Sequence, residues 1–170
     1  FDVSKLTLGG KFRLFRSPQA SKPADGSNPA YTQAALQMLD LPSDGEYHGY
    51  VDNMVTWRRL SALGLQHHLA EKNQGQWQRA FRNRLRVSEY NLYGIYVDHI
   101  EKSDETHFHS PQTLCKTHWA NEAMNPDQVQ QFCDNLPRDM VLVGIQSFAG
   151  VDIALLNQQF EMALKRGQLN

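Results

Sequence analysis

Strand-like and helix-like segments do not alternate regularly along this chain, and that ordering narrows the fold more than any motif does. A steady succession of strand and helix would indicate a doubly wound parallel sheet. Here a partly alternating stretch at 6–15 is followed by helical periodicity, an aromatic run, a polar stretch and only then another strand-like run. The expected architecture is therefore α+β, with helices packed on a small antiparallel sheet. One domain over 1–170 fits the usual domain size and is long enough to bury a core.

Local signals place the elements. Residues 6–15 partly alternate and are interrupted by Gly9-Gly10, which predicts a strand broken by a glycine turn. Residues 17–29, with three prolines, predict a surface loop, and Asn28-Pro29 predicts the start of a helix over 30–39. Pro42-Ser43-Asp44-Gly45 predicts a turn. Val55, Trp57, Leu60 and Leu63 suggest one face of an amphipathic helix over 52–69, with Arg58, Arg59 and Gln66 turned elsewhere. Residues 92–100 are aromatic and β-branched and read as a strand, while 107–125 read as irregular and polar. Asn125-Pro126 predicts a short helix to Phe132, 140–148 the best strand, and 152–165 a last helix capped by Gly167.

Composition excludes little beyond extremes. Hydrophobic residues make up 41% and charged residues 21%, with a net charge of −1, so no global field favours nucleic acid or an anionic membrane. No apolar run approaches the roughly 18 residues of a membrane-spanning helix. The first residues lack the basic, apolar and small-residue series of a signal peptide, and the sequence begins without Met, as a processed or truncated piece would.

Several residues invite chemistry. Cys115 and Cys133 lie 18 positions apart in a loop-rich region, which suits a disulfide and an oxidising compartment. Such a bridge would contribute roughly 3 kcal/mol by constraining the unfolded chain. His107, His109, Cys115 and His118 offer four zinc-type ligands, but the spacing departs from paired Cys-x-x-Cys, and a disulfide would remove the thiolate. A polar loop carrying surface histidines is the preferred reading, and His67-His68 likewise reads as helix surface. No local signature supports Cys115 as a nucleophile with His118 as its base. Glu46, Asp98, Glu101 and Asp104 are too generic to nominate as an acid–base pair. No cofactor and no catalytic residue is assigned, and an enzyme is not expected. Arg79, Arg82, Arg84 and Arg86, with Trp77, Phe81 and Tyr90, form the one local patch suited to a polyanion such as nucleic acid. An aromatic inner face beneath a solvated basic face is the plainer alternative.

Two stretches resemble the globular domain of type IV pilin-like and pseudopilin-like proteins. In 46–65 the run Val55-Thr56-Trp57-Arg58-Arg59-Leu60-Ser61-Ala62-Leu63-Gly64-Leu65 resembles the helix end that some members carry after a polar loop. Leu155-Leu156-Asn157-Gln158-Gln159-Phe160-Glu161, within 153–167, resembles their late segment, although the paired-Asp-Gly turn is replaced by Leu164-Lys165-Arg166-Gly167. The resemblance implies an extracytoplasmic assembly subunit of a filament or secretion system. Its partners would be other subunits, its exposed loop would be braced by Cys115–Cys133, and any membrane contact would come through a segment outside this sequence. A binding module of the DNA or adhesin type, using the Arg79–Arg86 patch, is the alternative function.

Overall fold

The computed structural model describes residues 5–18, 20, 29–102, 104–118, 122–137, 140–145 and 150–165. The chain is α+β. It divides into two compact units, residues 1–112 and 113–170, where the sequence reads as one domain.

Unit 1 begins with strands β1 (Thr7–Leu8) and β2 (Lys11–Phe15), paired antiparallel through Thr7↔Phe12. Gly9 and Gly10 sit at φ 58° and 80°, the left-handed conformations that a tight two-residue hairpin requires. Helix α1 (Pro29–Leu39) buries Thr32, Ala35, Leu36 and Leu39, an i, i+3, i+4, i+7 stripe. Helix α2 (Arg59–Lys72) leads to a 3-10 turn at Trp77–Phe81. Helix α3 (Glu89–Ile95) continues as a π-helix over Tyr96–Glu101 that ends at Lys102 in the left-handed region. Strand β3 (His107–Ser110) then pairs parallel with β2, Phe12 opposite His107. The core gathers Leu14, Leu36, Leu39, Tyr50, Leu69, Leu92, Tyr93 and Ile95 between the helices and the sheet.

In unit 2, β4 (Cys115–His118) pairs parallel with β5 (Leu142–Ile145), and α4 (Pro126–Asp134) forms the crossover. Asn125 caps α4 reciprocally with Gln128, and Pro126 occupies the first turn, so the helix start expected from Asn125-Pro126 is present. Asp152 caps α5 (Ile153–Lys165) by accepting from the backbone of Ala154. Val129, Cys133 and Ala163 form a small core with Phe132, Leu155 and Phe160 around them. Asn28, Gly167, most of 17–29 and residues 146–148 lie outside the described residues.

Five expectations need correction. The sheets are not simply antiparallel: β2–β3 and β4–β5 are parallel, because long helical crossovers join each pair. Residues 92–100 are helical. A helix buried on every side shows a continuous apolar run and no period, and residues 91–97 are all buried. Ser88 starts that helix by accepting from the Asn91 backbone. The stretch 107–125 holds two short strands.

Helix α2 begins at Arg59, not near Asp52. Arg13 binds the Asp52 carboxylate and the Met54 carbonyl, and Thr56 donates to the Arg13 carbonyl, so this segment is tied to β2 and stays outside the helix. The helix consequently buries Ser61 and Leu69 while Leu60 and Leu63 stay exposed. Finally, Cys115 and Cys133 are both buried free thiols, not a disulfide. Cys115 on β4 has Thr117 Oγ1 3.4 Å from its sulfur, and Cys133 packs in the small apolar core. The disulfide brace expected for the 115–133 loop is absent.

Candidate functional site

Two constellations in unit 1 carry chemical character, and both depend on the 89–101 helix. The first is polar. Gly94 lets the buried Tyr50 ring lie directly on the helix backbone, from where its hydroxyl donates to Asp98 Oδ2 at 2.6 Å. His109 Nε2 lies 2.7 Å from Asp98 Oδ1, and Arg16 Nε is 3.7 Å from Oδ2. Burial works against the Asp98 carboxylate. The hydrogen bonds from His109 and Tyr50, with the charges of His109 and Arg16, outweigh it and hold the pKa below the ordinary aspartate value. The Asp98 side chain is 8% exposed and that of His109 30%, so a buried carboxylate orients an accessible imidazole. That geometry supports proton transfer at the free ring nitrogen. Asp98 rides on a π-helix, a form that recurs at functional sites.

Further along, Glu101 Oε1 accepts from Ser61 Oγ at 2.9 Å and faces Arg58 at 3.7 Å, tying α2 to the π-helix.

The second constellation is an aromatic cleft of about 210 Å³. Leu69 and Leu92 form its buried floor, with Trp57, Trp77, Phe81 and Tyr93 among its walls and Gln66 and Glu89 supplying polar groups. Trp57 stacks on Tyr93 with ring centroids 5.3 Å apart and planes 17° apart, yet stays 44% exposed. Trp77 meets Phe81 edge-on at 5.9 Å.

Tyr93 is itself fixed. Its hydroxyl accepts from the Arg58 backbone at 2.9 Å, which leaves its own proton for His107 Nε2, also at 2.9 Å. His107 Nδ1 then donates to Thr106 Oγ1 at 3.0 Å, and burial lowers the imidazole's pKa, so the ring stays neutral. The platform under Trp57 is therefore locked by a hydrogen-bond chain reaching β3.

The residues singled out from sequence are dispersed. His107 is the buried support of Tyr93, His109 pairs with Asp98, and Cys115 and His118 belong to unit 2. No group of three or more metal-ligating side chains occurs among the described residues. Trp77 and Phe81 line the cleft, while the arginines between and after them go elsewhere. Arg79 bonds Gln74, and Arg84 bonds the Ala80 carbonyl at 3.0 Å and Gln37 at 2.9 Å. Arg82 and Arg86 are exposed. Sequence reading missed Tyr50, Glu89 and Tyr93, and passed over Asp98. The pairing of Ser88 with Glu89 ahead of an aromatic run is the one local clue, a helix-start signature.

The polar network implies a pH dependence. His99 is lowered first by burial, then by the Arg16 and His48 charges, against the raising effect of Asp98. His107 is lowered by burial. In all three groups, His99, His107 and Asp98, the unfolded chain binds protons more readily than the folded one, so stability rises with pH. Unfolding of unit 1 followed by tyrosine and tryptophan fluorescence is expected to become easier from about pH 7 to pH 5, as unfolded-state histidines protonate. A further loss is expected below about pH 4, where Asp98 is neutralised. A profile flat from pH 7 to 3 would contradict this assignment.

No curated protein and no solved structure matches the chain. The model of the family described as Family of unknown function (DUF6492) matches residues 1–166, and the chain belongs to that family.

Proposed function

We propose that unit 1 is a binding module for a small ring-bearing ligand held in the aromatic cleft. The observation that carries this reading is the Trp57–Tyr93 stack. A large indole is kept half out of the core on a platform fixed by Arg58, His107 and Thr106. An exposed indole stacked on a fixed ring beside a concavity is a preformed surface for another ring. The cleft's polar groups are also uncommitted. The Trp57 and Trp77 indole N–H groups, the Gln66 amide and the Glu89 carboxylate have no hydrogen-bond partner among the described residues.

Benzyl alcohol is a suitable probe, with a planar ring and one hydroxyl. Its binding is expected at about millimolar affinity, given its few atoms. Trp57→Ala is expected to weaken it about fivefold, on the scale of one aromatic stacking contact of roughly 1 kcal/mol. Unaltered affinity in that variant, folded by circular dichroism, would remove the cleft from consideration.

A further inference from the structure

From the charge pattern of the cleft we infer that its ligand is a ring-bearing organic cation, an ammonium group attached to a flat apolar ring. This rests on the cleft being a binding site, and it adds the sign of the charge the cleft accepts.

Two kinds of wall group select the same sign. Among the described residues, ten line the cleft, and Glu89 is the only charged one of these; no lysine or arginine is among them. Its carboxylate is exposed in the first turn of α3 and has no ion-pair partner among the described residues. The other contribution comes from Trp57, Trp77, Phe81 and Tyr93, whose ring faces carry the negative end of the aromatic quadrupole. A cation near those faces is attracted independently of Glu89, and an anion is repelled by both.

A neutral ring gains only the stack on Trp57. An anionic ring gains the stack and meets a carboxylate that has no ion-pair partner among the described residues. A cationic ring alone uses every feature of the walls. Leu69, Leu92, Leu65 and Ala62 supply the apolar floor and sides that receive the ring, so the ammonium group is left toward the Glu89 side. The volume of about 210 Å³ suits a single ring with a short substituent.

Three probes sharing one ring separate this inference from the reading beneath it: benzylamine, benzyl alcohol and phenylacetate. Affinities are read from the indole Nε1–H signals of the full chain. Benzylamine is expected to bind about tenfold more tightly than benzyl alcohol, with phenylacetate weakest. Glu89→Gln is expected to bring benzylamine down toward benzyl alcohol. In the unaltered protein, added salt is expected to weaken benzylamine selectively.

Equal binding of all three probes would overturn the inference and leave the ring-binding reading standing. A benzylamine preference undiminished in Glu89→Gln would also overturn it, because the carboxylate would then contribute nothing to the recognition. Binding of none of them would end both.

Discussion

Replacing Arg13 by methionine is expected to destabilise unit 1 by about 3–5 kcal/mol, a large fraction of the stability of an ordinary domain. Arg13 lies on β2 with its side chain 2% exposed. It bonds the Asp52 carboxylate at 3.1 Å, the Met54 carbonyl at 2.8 Å and the Gln112 carbonyl. Methionine fills much of the same volume but donates nothing. The Asp52 carboxylate, 1% exposed, then has to be kept in the interior without the guanidinium beside it. That penalty is the larger part of the effect, since a well-made buried pair contributes little net stability by comparison. Arg13→Lys is expected to recover only a fraction, because one ammonium cannot reproduce a planar fork serving three acceptors. Urea unfolding followed by fluorescence checks this, and a methionine variant within about 1 kcal/mol of the unaltered protein would show that the pair is incidental.

A loss of similar size, about 3–4 kcal/mol, is expected for Gly94→Ala. A methyl group at Gly94 would fall within the van der Waals radii of Tyr50 Cγ, Cδ1 and Cβ. Tyr50 is 1% exposed, and its hydroxyl is bound to Asp98, so the ring has nowhere to move without abandoning that bond. Helix propensity would favour alanine by roughly 1 kcal/mol, and steric overlap in a closed core outweighs it. Tyr50→Phe separates the two contributions, since it keeps the ring and removes only the hydrogen bond to a charged acceptor, worth about 1.5–3 kcal/mol. If Gly94→Ala melts with the unaltered protein, Tyr50 does not pack on α3 as described.

What could be read from the sequence was local. The glycine turn at Gly9-Gly10, the helix start at Asn125-Pro126 and helices α1, α4 and α5 are each set by a few neighbouring residues. Where tertiary partners decided the outcome, local reading failed. The run at 92–97 carries strand-like residues but is helical, because its surroundings bury every side of it. Likewise the phase of α2 is displaced because Arg13, 39 residues before Asp52, holds that segment out of the helix. Trp57, Leu60 and Leu63, the expected inner face, are therefore exposed, and Trp57 becomes cleft wall.

The site shows the same division. Trp77 and Phe81 stood out as an aromatic pair, but nothing nearby announces Trp57 and Tyr93 as the opposite wall. Asp98 looked generic because its partners, Tyr50 and His109, lie 48 and 11 residues away. In the stretch that resembles a pilin-like helix end, Trp57, Ala62 and Leu65 line the cleft.

The most direct measurement of the ring-binding cleft is the response of the Trp57 and Trp77 indole Nε1–H signals to benzyl alcohol. Both are expected to shift together and saturably, with one dissociation constant, because both rings border one concavity. Signals that stay still through saturating probe, or that drift linearly without saturation, would contradict a preformed ring-binding cleft.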